Sequence, residues 1–267
     1  MWDRAIIKSN AKAALRGHFW VALAVVFTAS VISEALSIFY NWRSEEYSEQ
    51  IRYSFQSYQG GVYHLWDTAW MAPFGLVALL LSIFVLIPLT IGMMRFFVQN
   101  RFGHTQYETV FSGFKYGYGN SVLTLFVTDL FIGLWSLLFI VPGIIKALQY
   151  SMVSFILSDN PNIDQSRARQ ISKAMTDGEK GNIFVLILSF LGWALIPAIV
   201  GGMFGYFNSL IGDMISSIGM IFLYPYIHAT FTELYVFLRD RAIQSGMVHP
   251  AELGLMPPAQ NPQDPPL

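Results

Sequence analysis

An all-α polytopic membrane helix bundle of about six transmembrane helices, with amphipathic helices at its N-terminus and on its cytoplasmic side, is the fold the sequence predicts. Three observations carry it. Of 267 residues, 54% are hydrophobic and only 12% charged, roughly half the charged share of an ordinary soluble domain, which leaves too little polar surface for a globule of this size in water. Apolar runs of about 20 residues, the length that crosses about 30 Å of hydrocarbon, recur along the chain. The basic residues gather between alternate runs. A formal net charge of −1 speaks against a generally basic nucleic-acid binder, and the absence of cysteine removes disulfides, thiol catalysis and thiolate metal sites together.

Residues 1–17 come first. Arg4, Lys8, Lys12 and Arg16 recur every four residues, filling one arc of a helix with Trp2, Ile6 and Ala13 opposite. Such a helix is expected in the inner headgroup layer, where each basic side chain adds about 1 kcal/mol of attraction to anionic lipid; the same charges also serve to orient the first span. That span, 18–40, continues from "FWVALAVVFTAS" through "VISEALSIFY", too long an apolar run for a cleaved leader, so it reads as an anchor. An outer loop, 41–72, carries Glu45, Glu46, Glu49 and Asp67 among several Tyr and Trp and is expected to be partly ordered. The second span is 73–98. In the following "HTQYETVFSGFKYG", Thr105 and Glu108 have capping-box spacing, predicting a short helix with Val110, Phe111 and Phe114 toward the membrane.

Spans 118–141 and 144–158 form a tight hairpin, with the reversal expected at Pro142-Gly143 because proline cannot continue the helix before it. The second arm has only about 15 residues, short for a full crossing. In the elbow "SDNPNIDQSRARQISKAMTDGEKGN", Asn162 or Asp164 is placed to start a helix and Gly178 to end it, leaving Arg167, Arg169 and Lys173 available to lipid phosphates. Span 182–205 ends on Gly201 and Gly205, a small-xxx-small pair suited to helix packing. Span 214–238 follows, and the Pro-rich residues 242–267 are expected to be a disordered cytoplasmic tail.

Charge checks this count independently of hydropathy. With the N-terminus inside, all sixteen Lys and Arg except Arg43, Arg52 and Lys146 fall on the inner side, a bias that a miscount of one span would scramble. A multi-pass cell-membrane protein with both termini cytoplasmic is expected. Its natural partner is a bilayer with anionic inner-leaflet lipids, and a protein partner or a second copy is compatible with the same surfaces.

The hairpin "LWSLLFIVPGIIKALQYSMVSFILSDNP", the following "ISKAMTDGEKGNIFVLILSFLGW" and the closing "YPYIHATFTELYVFLRD" resemble the bacterial integral membrane family catalogued as domain of unknown function 975. The opening "AKAALRGHFW" and the "PLTIGMMRFF" of the second span are similar to the same family, extending the resemblance to about residue 240. What it implies is a multi-span bacterial membrane protein. It transfers no catalytic residue.

Chemistry-bearing patterns are scarce. His18, His64, His104, His228 and His249 lack metal-ligand spacing, no phosphate-cradling glycine loop is present, and no cofactor is implied. The informative residues are ionisable groups inside spans, each costing at least about 2.5 to 3.5 kcal/mol unless paired or wet. These are Glu34, Asp129, Lys146, His228 and Glu233. Asp129 and His228 both fall near the midplane at 1.5 Å of rise per residue. Glu233 is close enough to the inner interface to snorkel. Lys146 and Glu34 fall at comparable depth near the outer end, so Lys146 either reaches the outer headgroups or pairs with Glu34. A non-enzymatic membrane scaffold or envelope-associated interaction protein is the first functional expectation, since these few groups show no convergence on a cavity. The alternative is a small-solute or proton-linked transporter using Asp129 and His228, with Pro88, Pro197 and Pro225 freeing backbone carbonyls for a ligand. An enzyme is the least supported, because no nucleophile pairs with a base.

Overall fold

The computed structural model describes residues 2–56, 72–104 and 106–255. Nine α-helices and two short 3-10 helices account for almost all of them. In chain order they are α1 (Arg4–Leu15), α2 (Phe19–Gln56), α3 (Ala72–Arg101), the 3-10 helix η1 (Tyr107–Phe114), α4 (Tyr118–Leu138), α5 (Ile140–Gln149), α6 (Val153–Asp159), α7 (Gln165–Thr176), α8 (Lys180–Gly205), α9 (Ser209–Gln244) and the 3-10 helix η2 (Pro250–Leu253). Six apolar stretches are long enough to cross a membrane: Phe19–Ser37, Leu79–Arg101, Tyr118–Leu138, Ile140–Asp159, Lys180–Gly205 and Ser209–Gln244. The expected helical bundle is the fold observed.

Several boundaries differ from the sequence reading for local reasons. No Gly or Pro interrupts the chain between Phe19 and Gln56, so α2 continues as helix well past the expected end of the first span at Tyr40. The rest of the expected outer loop, 57–71, lies outside the described residues, as does Thr105 of the expected capping box. The hairpin reverses at Phe139, whose backbone is extended, and not at Pro142-Gly143. Pro142 sits in the first turn of α5, where its missing N–H has no helical partner to lose. Gly143 is needed at this turn, because a β-carbon there would overlap Ser136 of α4. The second arm breaks at Tyr150–Met152 into α5 and α6. The carbonyl of Gln149, freed by the break, accepts hydrogen bonds from the hydroxyls of Ser172 (2.9 Å) and Thr176 (3.2 Å) on α7. In α7 itself Asp164 supplies the expected cap, accepting from the Arg167 amide at 2.9 Å, and the helix ends at Thr176, two residues before Gly178.

The buried core lies at one end of the bundle, the end that carries α1, η1, α7 and η2. Phe96 and Phe97 of α3, Met152 and Ile156 from the α5–α6 arm, Ile171 and Met175 of α7, and Leu234, Tyr235 and Leu238 of α9 are all buried there. Toward the opposite end the helices expose apolar side chains such as Leu191, Ile199, Leu210 and Phe222, a surface suited to lipid. A β-carbon on Gly201 of α8 would overlap Gly212 and Ser216 of α9, and one on Gly205 would stand 3.7 Å from the Gly212 Cα, so the small-residue pair serves α8–α9 packing. η1 lies directly on α3 at two glycines: a β-carbon on Gly92 would overlap the Val110 carbonyl, and one on Gly113 the Pro88 carbonyl. Gly92→Val should therefore prise η1 from α3 and destabilise by about 1 to 3 kcal/mol, measurable as a lowered thermal midpoint in detergent; an unchanged midpoint would contradict this packing.

The C-terminal segment is ordered further than expected. Val248 and Leu253 are buried, η2 carries a capping box from His249 and Glu252, and Arg167 grips Glu252 through two nitrogens at 2.6 and 3.1 Å. The disordered tail predicted over 242–267 is thus corrected up to Leu255; residues 256–267 lie outside the described residues.

Candidate functional site: a polar cavity between three helices

An open cavity of about 700 Å³ is lined by α2, α3 and α9. Its charged and aromatic groups are Glu34, Tyr224 and His228, and five hydroxyl side chains join them: Ser30, Ser33, Thr90, Ser216 and Ser217. Apolar groups such as Val26, Leu89 and Ile221 complete the wall. The positions that contribute follow helical period, with Ser30, Ser33 and Glu34 on one face of α2 and Ser217, Tyr224 and His228 on one face of α9. From Ser216 to His228 the cavity follows α9 for about 18 Å.

Proline shapes both long walls. Pro88 in α3 and Pro225 in α9 each leave a carbonyl four residues earlier without its helical donor. The one freed by Pro88, on Phe84, accepts from the Tyr118 hydroxyl at 2.9 Å. The one freed by Pro225 belongs to Ile221, itself a cavity-lining residue. Two of the hydroxyls have directed protons: Thr90 donates to the Leu86 carbonyl at 2.8 Å and Ser216 to the Pro197 carbonyl at 3.3 Å. Their oxygens are left as acceptors.

His228 closes the cavity at the core end. Its ring stacks on Phe97 with centroids 5.3 Å apart and lies 6.2 Å from Tyr224. Beyond it the path is sealed by side chains from three helices. Glu233, only 4% exposed, is paired with Arg101, and Asn100 donates to the Ala14 carbonyl of α1 at 3.1 Å. Glu233 is therefore held in a buried ion pair and does not snorkel to the interface, as the sequence reading had it.

The remaining candidates fall elsewhere. Asp129 is on the outer surface of α4, not in the cavity, and forms no hydrogen bond or ion pair with the described residues; Asp129 and His228 are not brought together. Lys146 does not pair with Glu34: its ammonium stacks on Trp135 at 5.2 Å and Tyr150 at 5.9 Å, a cation–π arrangement within the hairpin. What was missed from sequence are the hydroxyls and the sharing of one cavity by Glu34 and His228. Their signal is a helical-period stripe of polar residues within two otherwise apolar spans.

The expected lipid contacts are largely engaged within the protein. In α1 the packed face is Ile7, Ala11 and Leu15, whereas Ile6 is 60% exposed and Ala13 points outward; of the apolar face expected from sequence only Trp2 is buried, because tertiary packing chose the stripe flanked by Lys8 and Lys12. Lys8 donates to the Ser189 hydroxyl at 2.7 Å and lies 4.5 Å from the Phe190 ring, and Lys12 lies 5.7 Å from Tyr226. Burial, with Arg4 and Lys12 nearby, holds the Lys8 ammonium below its ordinary pKa. Arg167 is bound to Glu252, Arg169 covers the Phe131 ring at 5.8 Å, and Arg4, Arg16 and Lys173 remain outward-facing.

Glu179 fastens α1 to the bundle. It accepts from Trp2 Nε1 at 3.0 Å, Asn182 at 2.9 Å and Arg241 at 2.5 Å. Burial alone raises its pKa, but these donors outweigh burial and hold the carboxyl below the ordinary range. A depressed folded-state value contributes stability above the unfolded value and loses it as pH falls through the folded one. The protein should thus be less stable at pH 3 than at pH 7, and Glu179→Gln should flatten that dependence while lowering stability at pH 7. Thermal midpoints across this range check it, and an equally steep acid loss in Glu179→Gln would contradict the assignment.

Fold and cavity together define a multi-pass helical membrane protein with a polar pocket among its spans. Residues 139–242 match the model of the family described as "Protein of unknown function (DUF975)", so this segment is similar to that family. The matched segment runs from the α4–α5 turn into the last turns of α9, so it includes Tyr224 and His228 but not Glu34. No curated protein and no solved structure matches the chain.

Proposed function

We propose that the protein is a small-solute carrier whose path runs through the cavity between α2, α3 and α9. The observation that supports this reading is the convergence of Glu34, five hydroxyls, Tyr224 and His228 on one cavity between helices with an internal proline, Pro88 in α3 and Pro225 in α9, because carrier sites are commonly built where freed backbone carbonyls line a polar cavity inside the bilayer. Of the ionisable groups in the spans, Glu34 and His228 share the cavity, which a scaffold does not require. The two midplane residues first paired for transport are replaced in this proposal by Glu34 and His228. The basic bias of the α1 and α7 end supports an inner position for it; on this reading the cavity opens outward and the Arg101–Glu233 layer with α1 forms its inner seal.

The chain has no native cysteine, so single thiols report water access cleanly. Ser216→Cys and Ser30→Cys should react with a membrane-impermeant maleimide added outside, while Leu130→Cys, on the exposed apolar surface of α4, should not. Equal protection at all three positions would remove the wet path and return the protein to a scaffold.

A further inference from the structure

The cavity's chemistry is one-sided. Among its described lining residues Glu34 is the only acidic one, and no Lys or Arg is among them. Basic groups of α1 and α3 are committed elsewhere: Lys8 to Ser189, Arg101 to Glu233, and Arg95 to the Ser158 carbonyl and the Ser112 hydroxyl, both at 2.8 Å. Thr90 and Ser216 have given their protons to backbone carbonyls and offer only oxygen lone pairs to an occupant. The Ile221 carbonyl, without its helical donor, is a further acceptor on the wall. The ring of Tyr224 adds a π face, which attracts cations.

Size and wall then separate classes of cation. About 700 Å³ is the scale of a small organic ligand. A divalent ion requires several carboxylate or imidazole ligands around one point, and no group of three such residues is present among the described residues. Apolar side chains alternate with the acceptors, as a hydrocarbon body attached to a charged head requires.

We propose that the solute is a small organic ammonium ion, its charged nitrogen held by Glu34 and the acceptor oxygens of Thr90 and Ser216, and its hydrocarbon part against Leu89 and Ile221. This rests on the carrier reading and specifies its substrate class. An anion meets Glu34 and acceptors without a donor of opposite charge, and a neutral alcohol forgoes the attraction that repays the desolvation of Glu34.

The test is protection of Ser30→Cys, a cavity position outside the proposed nitrogen site, from alkylation in lipid nanodiscs by three probes of one size: butylammonium, butanoate and butanol. Butylammonium should slow the reaction about tenfold when it is present at about ten times its dissociation constant, and butanoate and butanol should not. In the background of Glu34→Gln the thiol should still react, with butylammonium protection lost and the thermal midpoint kept. Labelling without protection by butylammonium, or protection by butanoate of equal strength, would overturn the ammonium assignment while leaving the water-filled path intact. Failure of Ser30→Cys to label at all would overturn the carrier reading itself, and this inference with it.

Discussion

Asp159→Ala should unfold the core end of the bundle at a cost of about 3 to 5 kcal/mol, the range for removing one partner of a buried ion pair. Asp159 ends α6 and is 8% exposed, facing Arg239 at 3.2 Å, which is 7% exposed. The same carboxylate oxygen accepts from the fully buried Tyr235 hydroxyl at 2.7 Å. The substitution leaves a guanidinium and a phenol together without their shared acceptor, and Asp240, 51% exposed and 3.2 Å from Arg239, covers only one of the guanidinium nitrogens. Phe155 stacks on Tyr235 with centroids 5.1 Å apart, so disturbance at the phenol passes into the core. Asp159→Asn keeps an acceptor for Tyr235 and should cost less than Ala. Chemical unfolding in detergent followed by circular dichroism gives the comparison, and a loss below about 1 kcal/mol for Ala would mean that the cluster is solvated.

Ser30→Trp should close the proposed path without harming the fold. Ser30 stands midway along the α2 wall, so an indole there fills open space and does not overpack the core. Reaction of a thiol at position 216 from the outside should be unaffected or modestly slowed, whereas reaction at position 228, beyond the obstruction, should fall to background. The thermal midpoint should stay within a few degrees of the parent. Undiminished reaction at 228 would show that water reaches His228 by another route.

Hydropathy made the six spans legible, because crossing hydrocarbon imposes a length that few other structures need. Local chemistry was equally readable at Asp164, whose side chain caps α7, and at Gly201 and Gly205, which admit α9 closely. Rotation of the helices was not readable. Ile6 and Ile7 are adjacent and equally apolar, and only the surface presented by α9 and α3 decides which of them is buried. Pro142 marks a turn in sequence but fits the first turn of α5 equally well, so the reversal moved to Phe139. The cavity escaped for the same reason as the α1 face: Ser30, Glu34, Thr90 and Ser216 are unremarkable singly, and their convergence depends on how three long helices are turned about their axes. Glu34 was recognised as costly and was given the wrong partner, since depth alone cannot say which neighbour a side chain faces.

Access to position 228 from each side of the membrane tests the central claim most directly. A carrier must expose the floor of its cavity to both sides in turn, whereas a binding vestibule or a scaffold keeps its inner seal of Arg101, Glu233 and α1 shut. With His228→Cys as the only thiol, an impermeant maleimide is applied to sealed right-side-out vesicles and, separately, to inside-out vesicles. The account predicts reaction in both, with reaction from the inner side increased when Arg101→Gln weakens the seal. Reaction confined to the outer side, with none from the inner side even in Arg101→Gln, would contradict it.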